Sequence, residues 1–138
     1  MAGKIFFDTN VLIYSIAKND PRSKFAEELL GKGGIVSVQV LNEFVSVARR
    51  KIQMEWDEIQ QVLEVFQELC PRPVPLTVET HAQALRICKR HSYGIYDALI
   101  IAAALESGCS ILYSEDLRDG QRFEGKLTIR NPFDKAPK

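Results

Sequence analysis

The chain has 138 residues, 46% of them hydrophobic and 26% charged, with eighteen basic residues balancing eighteen acidic ones. That length makes 1–138 a single domain able to bury a core without disulfide or metal staples. A net charge of zero excludes a coat protein drawn to polyanions by a global positive field, but not an enzyme that touches a few phosphates locally. The three cysteines, Cys70, Cys88 and Cys109, are odd in number, widely spaced and set among apolar residues. They read as small buried hydrophobes in a reducing compartment. With two histidines, His81 and His91, and no Cys-x-x-Cys pair, a nitrogen–sulfur metal site is disfavoured. The stretch before Asp8 falls far short of a secretory h-region, and the longest apolar run, Ala98 to Leu105, is too short to cross a bilayer. The expectation is a cytoplasmic protein with no membrane partner.

Lys4-Ile5-Phe6-Phe7 reads as a strand buried on both faces, and it ends at Asp8-Thr9-Asn10. A carboxylate at the carboxyl end of a central strand stands where open α/β sheets bind ligands. Asp8, Thr9 or Asn10 could equally cap a short helical stretch over Val11 to Ile16. Asp20-Pro21 opens the next helix, with Phe25, Ala26, Leu29 and Leu30 on its apolar face and Gly31 to Gly34 ending it. Ile35 to Val38 is β-branched and short, a second strand. Gln39 to Lys51 turns to helical period, and Glu43 falls inside the stripe of Val40, Phe44, Val47 and Ala48. An acid on an apolar face is either an edge residue reaching solvent or a functional group.

Asp57 to Cys70 is an amphipathic helix stopped by Pro71, Pro73 and Pro75. Thr77 caps a further helix whose buried side is expected at Val78, Ala82, Leu85 and Cys88. Lys89-Arg90-His91 gives that helix a cationic end, which the helix dipole explains. Ile95 to Ser107 is apolar nearly all round, hence buried, with Asp97 in its first turn. Ser110 to Tyr113 is a buried strand followed by Ser114-Glu115-Asp116, and Leu127 to Arg130 is a last edge strand. From about 131 to 138 the pattern predicts a frayed tail. Strands separated by helices imply βα units and a three-layer α/β/α domain with a mostly parallel sheet.

Asp8, Glu43, Asp97 and Asp116 stand in equivalent places, each after a strand or early in the helix that follows one. In a parallel sheet such segments converge at one rim. Two carboxylates about 4 Å apart repel by roughly 4 kcal/mol at an effective dielectric near 20. Such a group must be protonated or neutralised, and no Lys or Arg adjoins Asp8, Glu43 or Asp97 in sequence. A hard divalent cation with oxygen ligands, magnesium or manganese, is the simplest solution.

The blocks Phe7-Asp8-Thr9-Asn10-Val11-Leu12, Ser37 to Phe44, Tyr96-Asp97-Ala98-Leu99-Ile100 and Leu112 to Leu117 come in that order. With them the chain resembles the PIN-domain nucleases, and within them the toxins of VapBC-type toxin–antitoxin pairs. The resemblance implies a Mg2+- or Mn2+-dependent ribonuclease in which Asp8, Glu43, Asp97 and Asp116 are catalytic and metal-binding. It also implies an RNA substrate, an antitoxin partner and a homodimer. Metal-activated water would be the nucleophile, with Glu43 either ligand or general base. Thr9, Asn10 and Ser114 would orient the carboxylates or simply cap, and Ser114 stands where the family often has threonine. Asp119 falls where some members carry another acid. Arg118 and Arg122 are candidate RNA contacts, as are Arg49, Arg50 and Lys51, against a default of solvated surface charge. Two other classes compete: a phosphotransfer enzyme using Asp8, and a non-catalytic interaction module of the same fold. The first wants a second acid two residues after Asp8, where this chain has Asn10.

Overall fold

A computed structural model of the chain describes residues 4–134. Its sheet has four strands, β1 (Lys4–Phe7), β2 (Cys109–Tyr113), β3 (Arg122–Phe123) and β4 (Leu127–Arg130), in the order β1-β2-β4-β3. β1, β2 and β4 run parallel, and β3 is antiparallel to β4. Phe6 and Phe7 are both buried, as a strand covered on two faces requires. Helices α1 (Thr9–Ser15), α2 (Arg22–Gly31), α3 (Val38–Val47), α4 (Trp56–Leu69), α5 (Val78–His91) and α6 (Ile95–Glu106) flank the sheet. The three-layer α/β/α reading therefore stands. α6 is the central helix: Ala98 to Ala104 are all buried, and it packs on α3, α5 and β2. The cysteines are unpaired, with Cys70 and Cys109 buried and Cys88 half-buried. Among the described residues no helix is long and apolar enough to cross a membrane.

Five sequence expectations need correction. Ile35 to Val38 is not a full strand: it meets β1 through a bridge at Ile35 and reaches Val74 through one at Ser37. The segment is cut short because Ser37 turns into the N-cap of α3, its hydroxyl accepting from the Val40 amide. Gly34 is needed for the approach, since a Cβ there would lie 2.4 Å from the Phe7 ring. The long third helix leaves α-geometry at Ala48–Ile52, a π-helical turn that ends at Gln53 in left-handed conformation. β4 is not an edge strand, because the two-residue β3, too short to register in the hydrophobic pattern, covers it.

α5 buries the opposite face from the one expected. Thr80, Ala84 and Ile87 face the core while Val78 (79% exposed) and Leu85 (47%) face outward. α5 lies on the small-residue surface of α6, with Ala84 fully buried and Thr80 donating to Glu106 (2.7 Å). Lastly, fraying does not begin at 131. Asn131 donates its amide to Asp119 (2.9 Å), and Phe133 is buried edge-on to Tyr14 (ring centroids 4.9 Å) and Phe25 (6.1 Å). Residues 135–138 of the expected tail lie outside the described residues.

Candidate active site

β1 delivers Asp8 to the carboxyl rim of the sheet, and Asp8 then serves as N-cap of α1, its Oδ1 accepting from the Thr9 amide at 2.7 Å. Capping and site placement are thus one arrangement, not alternatives. The neighbouring strand β2 ends at Tyr113 and delivers Ser114, which is fully buried. Ser114 Oγ accepts from the Asp116 (3.2 Å) and Leu117 (3.1 Å) amides, so its single hydrogen is directed to Asp8 Oδ2, 2.6 Å away. The Asn10 amide group lies within 3.4 Å of Asp8 Oδ2 and Ser114 Oγ and 3.3 Å of Asp116 Oδ2. Its carbonyl oxygen accepts from the Glu115 amide (3.2 Å), which ties α1 to the loop after β2.

Glu43 projects from α3 towards the same rim. Thr9 donates to its Oε1 (3.3 Å) and Gln39 to its Oε2 (3.0 Å). Asp97 sits half-buried in the first turn of α6, where the helix dipole favours a carboxylate. Asp8 forms the floor at 4% exposure, and Asp116 stands exposed at the lip.

The electrostatics follow from this crowding. Burial, more than any other cause, pushes the Asp8 carboxyl up to about 7; the charges of Glu43 and Asp97 add to it, while the Ser114 and Thr9 hydrogen bonds pull the other way. Asp97 is raised by burial first and then by the charge of Asp116. Among the described residues the ion pairs are Arg22–Asp20 (2.9 Å) and Arg22–Glu115 (3.3 Å), and neither reaches any of the four acids. An all-oxygen donor set of mutually repelling, unneutralised carboxylates suits a hard divalent cation. Among the described residues no three acidic, histidine or cysteine side chains stand at ligating distance around one point, so ion binding requires the side chains to draw in.

The remaining candidates divide. Thr9, Asn10 and Ser114 contact the acids directly. Asp119 does not: it is exposed and holds the Asn131 amide. Arg118 lies over the Tyr93 ring, its guanidinium carbon 4.6 Å from the centroid, and Arg122 is exposed on β3. Arg49, in the π-helical turn, stacks over Trp56 (5.2 Å), and Arg50 and Lys51 of the same turn are exposed.

Two groups escaped the sequence reading. Gln39 precedes Glu43 by one helical turn, a spacing that could have pointed to it. A second network borders the rim: Tyr14 donates to Glu115, and Arg22 holds Glu115 and Asp20 while lying 3.9 Å from the Tyr14 ring centroid. No local pattern links Arg22 to Glu115, which are far apart in sequence.

The sequence profile described as "PIN domain" matches residues 5–123. No curated protein matches the sequence. Among solved structures, the fold is similar to VapC20 of Mycobacterium tuberculosis, a sarcin–ricin loop cleaving toxin. The TM-score is 0.66 at 23% identity, over 82% of this chain and 90% of that one. It is also similar to VapBC2 of Rickettsia felis, bound to a DNA fragment from its promoter. There the TM-score is 0.65 at 20% identity, over 92% of this chain and 97% of that one.

Proposed function

The chain belongs to the PIN-domain family, and we propose that it is a Mg2+- or Mn2+-dependent endoribonuclease, the toxin of a toxin–antitoxin pair. The observation that carries this reading is Asp8: a carboxylate buried to 4% exposure, facing other acids and bonded to no cationic side chain among the described residues. Keeping such a group anionic at neutral pH costs stability, and a protein retains that cost where charge has a task.

Asp8, Asp97 and Asp116 would hold the cation, with Glu43 completing the set. A bound divalent cation would acidify a water and offset charge developing on the scissile phosphate. The chain's own residues supply the positioning. Ser114 and the Thr9 amide fix both Asp8 oxygens. Asn10 spans Asp8 and Asp116, keeping floor and lip in register. Gln39 and Thr9 pin the two Glu43 oxygens, leaving the carboxylate aimed along the rim either as a ligand or as a base towards water. With water as nucleophile and the 3′ oxygen as leaving group, the outcome the family resemblance implies, the products would carry 5′-phosphate and 3′-hydroxyl ends.

The toxin role and an antitoxin partner are supported by the likeness to VapC20 and VapBC2. A homodimer and a cytoplasmic location belong to the same family reading; sedimentation velocity tests the first. The function is tested on end-labelled RNA incubated with Mg2+ or Mn2+. Cleavage is expected in the wild type, lost with chelator and lost in Asp97→Asn at unchanged melting temperature. Cleavage surviving both controls refutes the assignment.

A further inference from the structure

On the side of the domain formed by α5, α6 and β3, a cavity of about 390 Å3 is lined by Arg86, Arg90, His91 and Arg122, with Gln83 and Glu124 at its margin. From this cavity we infer a second phosphate-binding site, one that holds a backbone phosphate of single-stranded RNA other than the one being cut. This inference rests on the ribonuclease reading for its substrate, but on separate residues.

Arg86 and Arg90 are one helical turn apart and share a face of α5, where like charges repel. Arg122 joins them from β3, held by a tight hairpin: Glu124 and Gly125 both have positive φ (53° and 64°), and the Lys126 amide donates to the Phe123 carbonyl at 3.0 Å. Arg122 also donates to the Gly125 carbonyl (3.1 Å), which steadies its side chain. Among the described residues none of these three guanidinium groups pairs with a carboxylate, although Glu124 is close enough to line the same cavity. The helix dipole accounts for cations at the last turn of α5, but not for Arg86 a turn earlier or for Arg122 on another element. Planar guanidinium groups gathered with no carboxylate paired to them are suited to a phosphate, which takes paired N–H donors.

The cavity is joined to the acidic rim. Tyr93 donates to Gln121 Oε1 (2.6 Å), Gln121 Nε2 stands 3.4 Å from His91 Nδ1, and His91 packs edge-on to Phe123 (4.9 Å). At the other end, Arg118 covers the Tyr93 ring two residues after Asp116, and Tyr96, 65% exposed, immediately precedes Asp97. A strand of RNA leaving the acids therefore meets two aromatic side chains and then the arginine cavity, the alternation of stacking surface and positive charge that single strands follow.

The test is fluorescence anisotropy with a labelled 20-nucleotide single-stranded RNA, titrated in EDTA so that nothing is cleaved. Arg90→Gln combined with Arg122→Gln is compared with Lys24→Gln combined with Lys89→Gln, which removes the same charge from exposed positions outside the cavity. The arginine pair is expected to weaken binding about tenfold and to flatten the slope of log K against log salt by about 0.7, the loss of one phosphate contact. The lysine pair is expected to leave the slope unchanged. Equal effects of the two pairs, or loss of affinity for a poly-glutamate peptide but not for RNA, overturn the site. Cleavage in Mg2+ or Mn2+ is measured separately: a wild type that never cuts RNA sinks the ribonuclease reading and leaves the anisotropy result to judge the cavity.

Discussion

Asp8→Asn provides the sharpest stability experiment. The Asp8 carboxyl has an ordinary value of 3.8 and is pushed up to about 7 in the folded protein by burial and by neighbouring acids. Between those values the native state holds a proton that the unfolded state has released, so stability falls as pH rises through this window and the full penalty is present above 7. At ~1.4 kcal/mol per pH unit the penalty at pH 8 is about 4 kcal/mol. Asparagine removes the charge but disturbs the contact with Ser114, whose hydroxyl already accepts two amides; that mismatch costs about 1–2 kcal/mol. In chelator at pH 8 the variant is therefore expected to be more stable than wild type by about 2–3 kcal/mol, a rise of roughly 6–10 °C in Tm for a domain of this size. At pH 4 the order reverses by about 1–2 kcal/mol, because wild-type Asp8 is then protonated. Thermal unfolding at the two pH values, with chelator and then with millimolar Mg2+, reads the effect. Mg2+ is expected to raise the wild-type Tm at pH 8 and leave the variant unmoved. A variant equally destabilised at both pH values would refute the buried-charge argument.

Ser114→Ala leaves the Asp116 and Leu117 amides and one Asp8 oxygen without their partner, so urea denaturation should show a loss of about 1–3 kcal/mol and cleavage assays a 10- to 100-fold loss of metal-dependent activity. Gln39→Leu should preserve the fold while lowering kcat, because it frees Glu43 Oε2 without touching Asp8; unchanged kcat would show that Glu43 needs no steering. Phe133→Ala removes a buried ring packed between Tyr14 and Phe25 and should cost about 3 kcal/mol by urea denaturation, whereas a frayed end would tolerate it. On α5, Leu85→Ser should stay within about 0.5 kcal/mol of wild type and Ile87→Ala should cost about 2–4, the reverse of what the expected face would give.

The architecture was legible where local pattern and tertiary role coincide. Phe6-Phe7 before Asp8 had to be a buried strand reaching a rim, and the continuous apolar run of α6 had to be a central helix. Asp8 and Asp116 could be singled out because they follow strands and Asp97 because it opens a helix, places that parallel topology gathers together, whereas Glu43 stood out as an acid inside the apolar stripe of α3. What stayed hidden depends on contacts between distant segments. The periodicity of α5 admits two apolar stripes, and only the surface of α6 selects the one with Thr80, Ala84 and Ile87. β3 is too short for alternation to register, yet it covers β4 and presents Arg122. Phe133 sits in a polar stretch and finds its aromatic partners well over a hundred residues earlier. Arg22 and Glu115 likewise meet only once the chain is folded.

The central claim is that Asp8, Glu43, Asp97 and Asp116 form one cation site. Binding of Mn2+ at pH 7.5, followed by the electron paramagnetic resonance of the free ion, tests it most directly. The account predicts saturable binding by the wild type, weakened at least tenfold by Asp8→Asn and by Asp97→Asn and unaltered by Glu124→Gln at the far cavity. Mn2+ binding that is absent from the wild type, or equal in all four proteins, would contradict it.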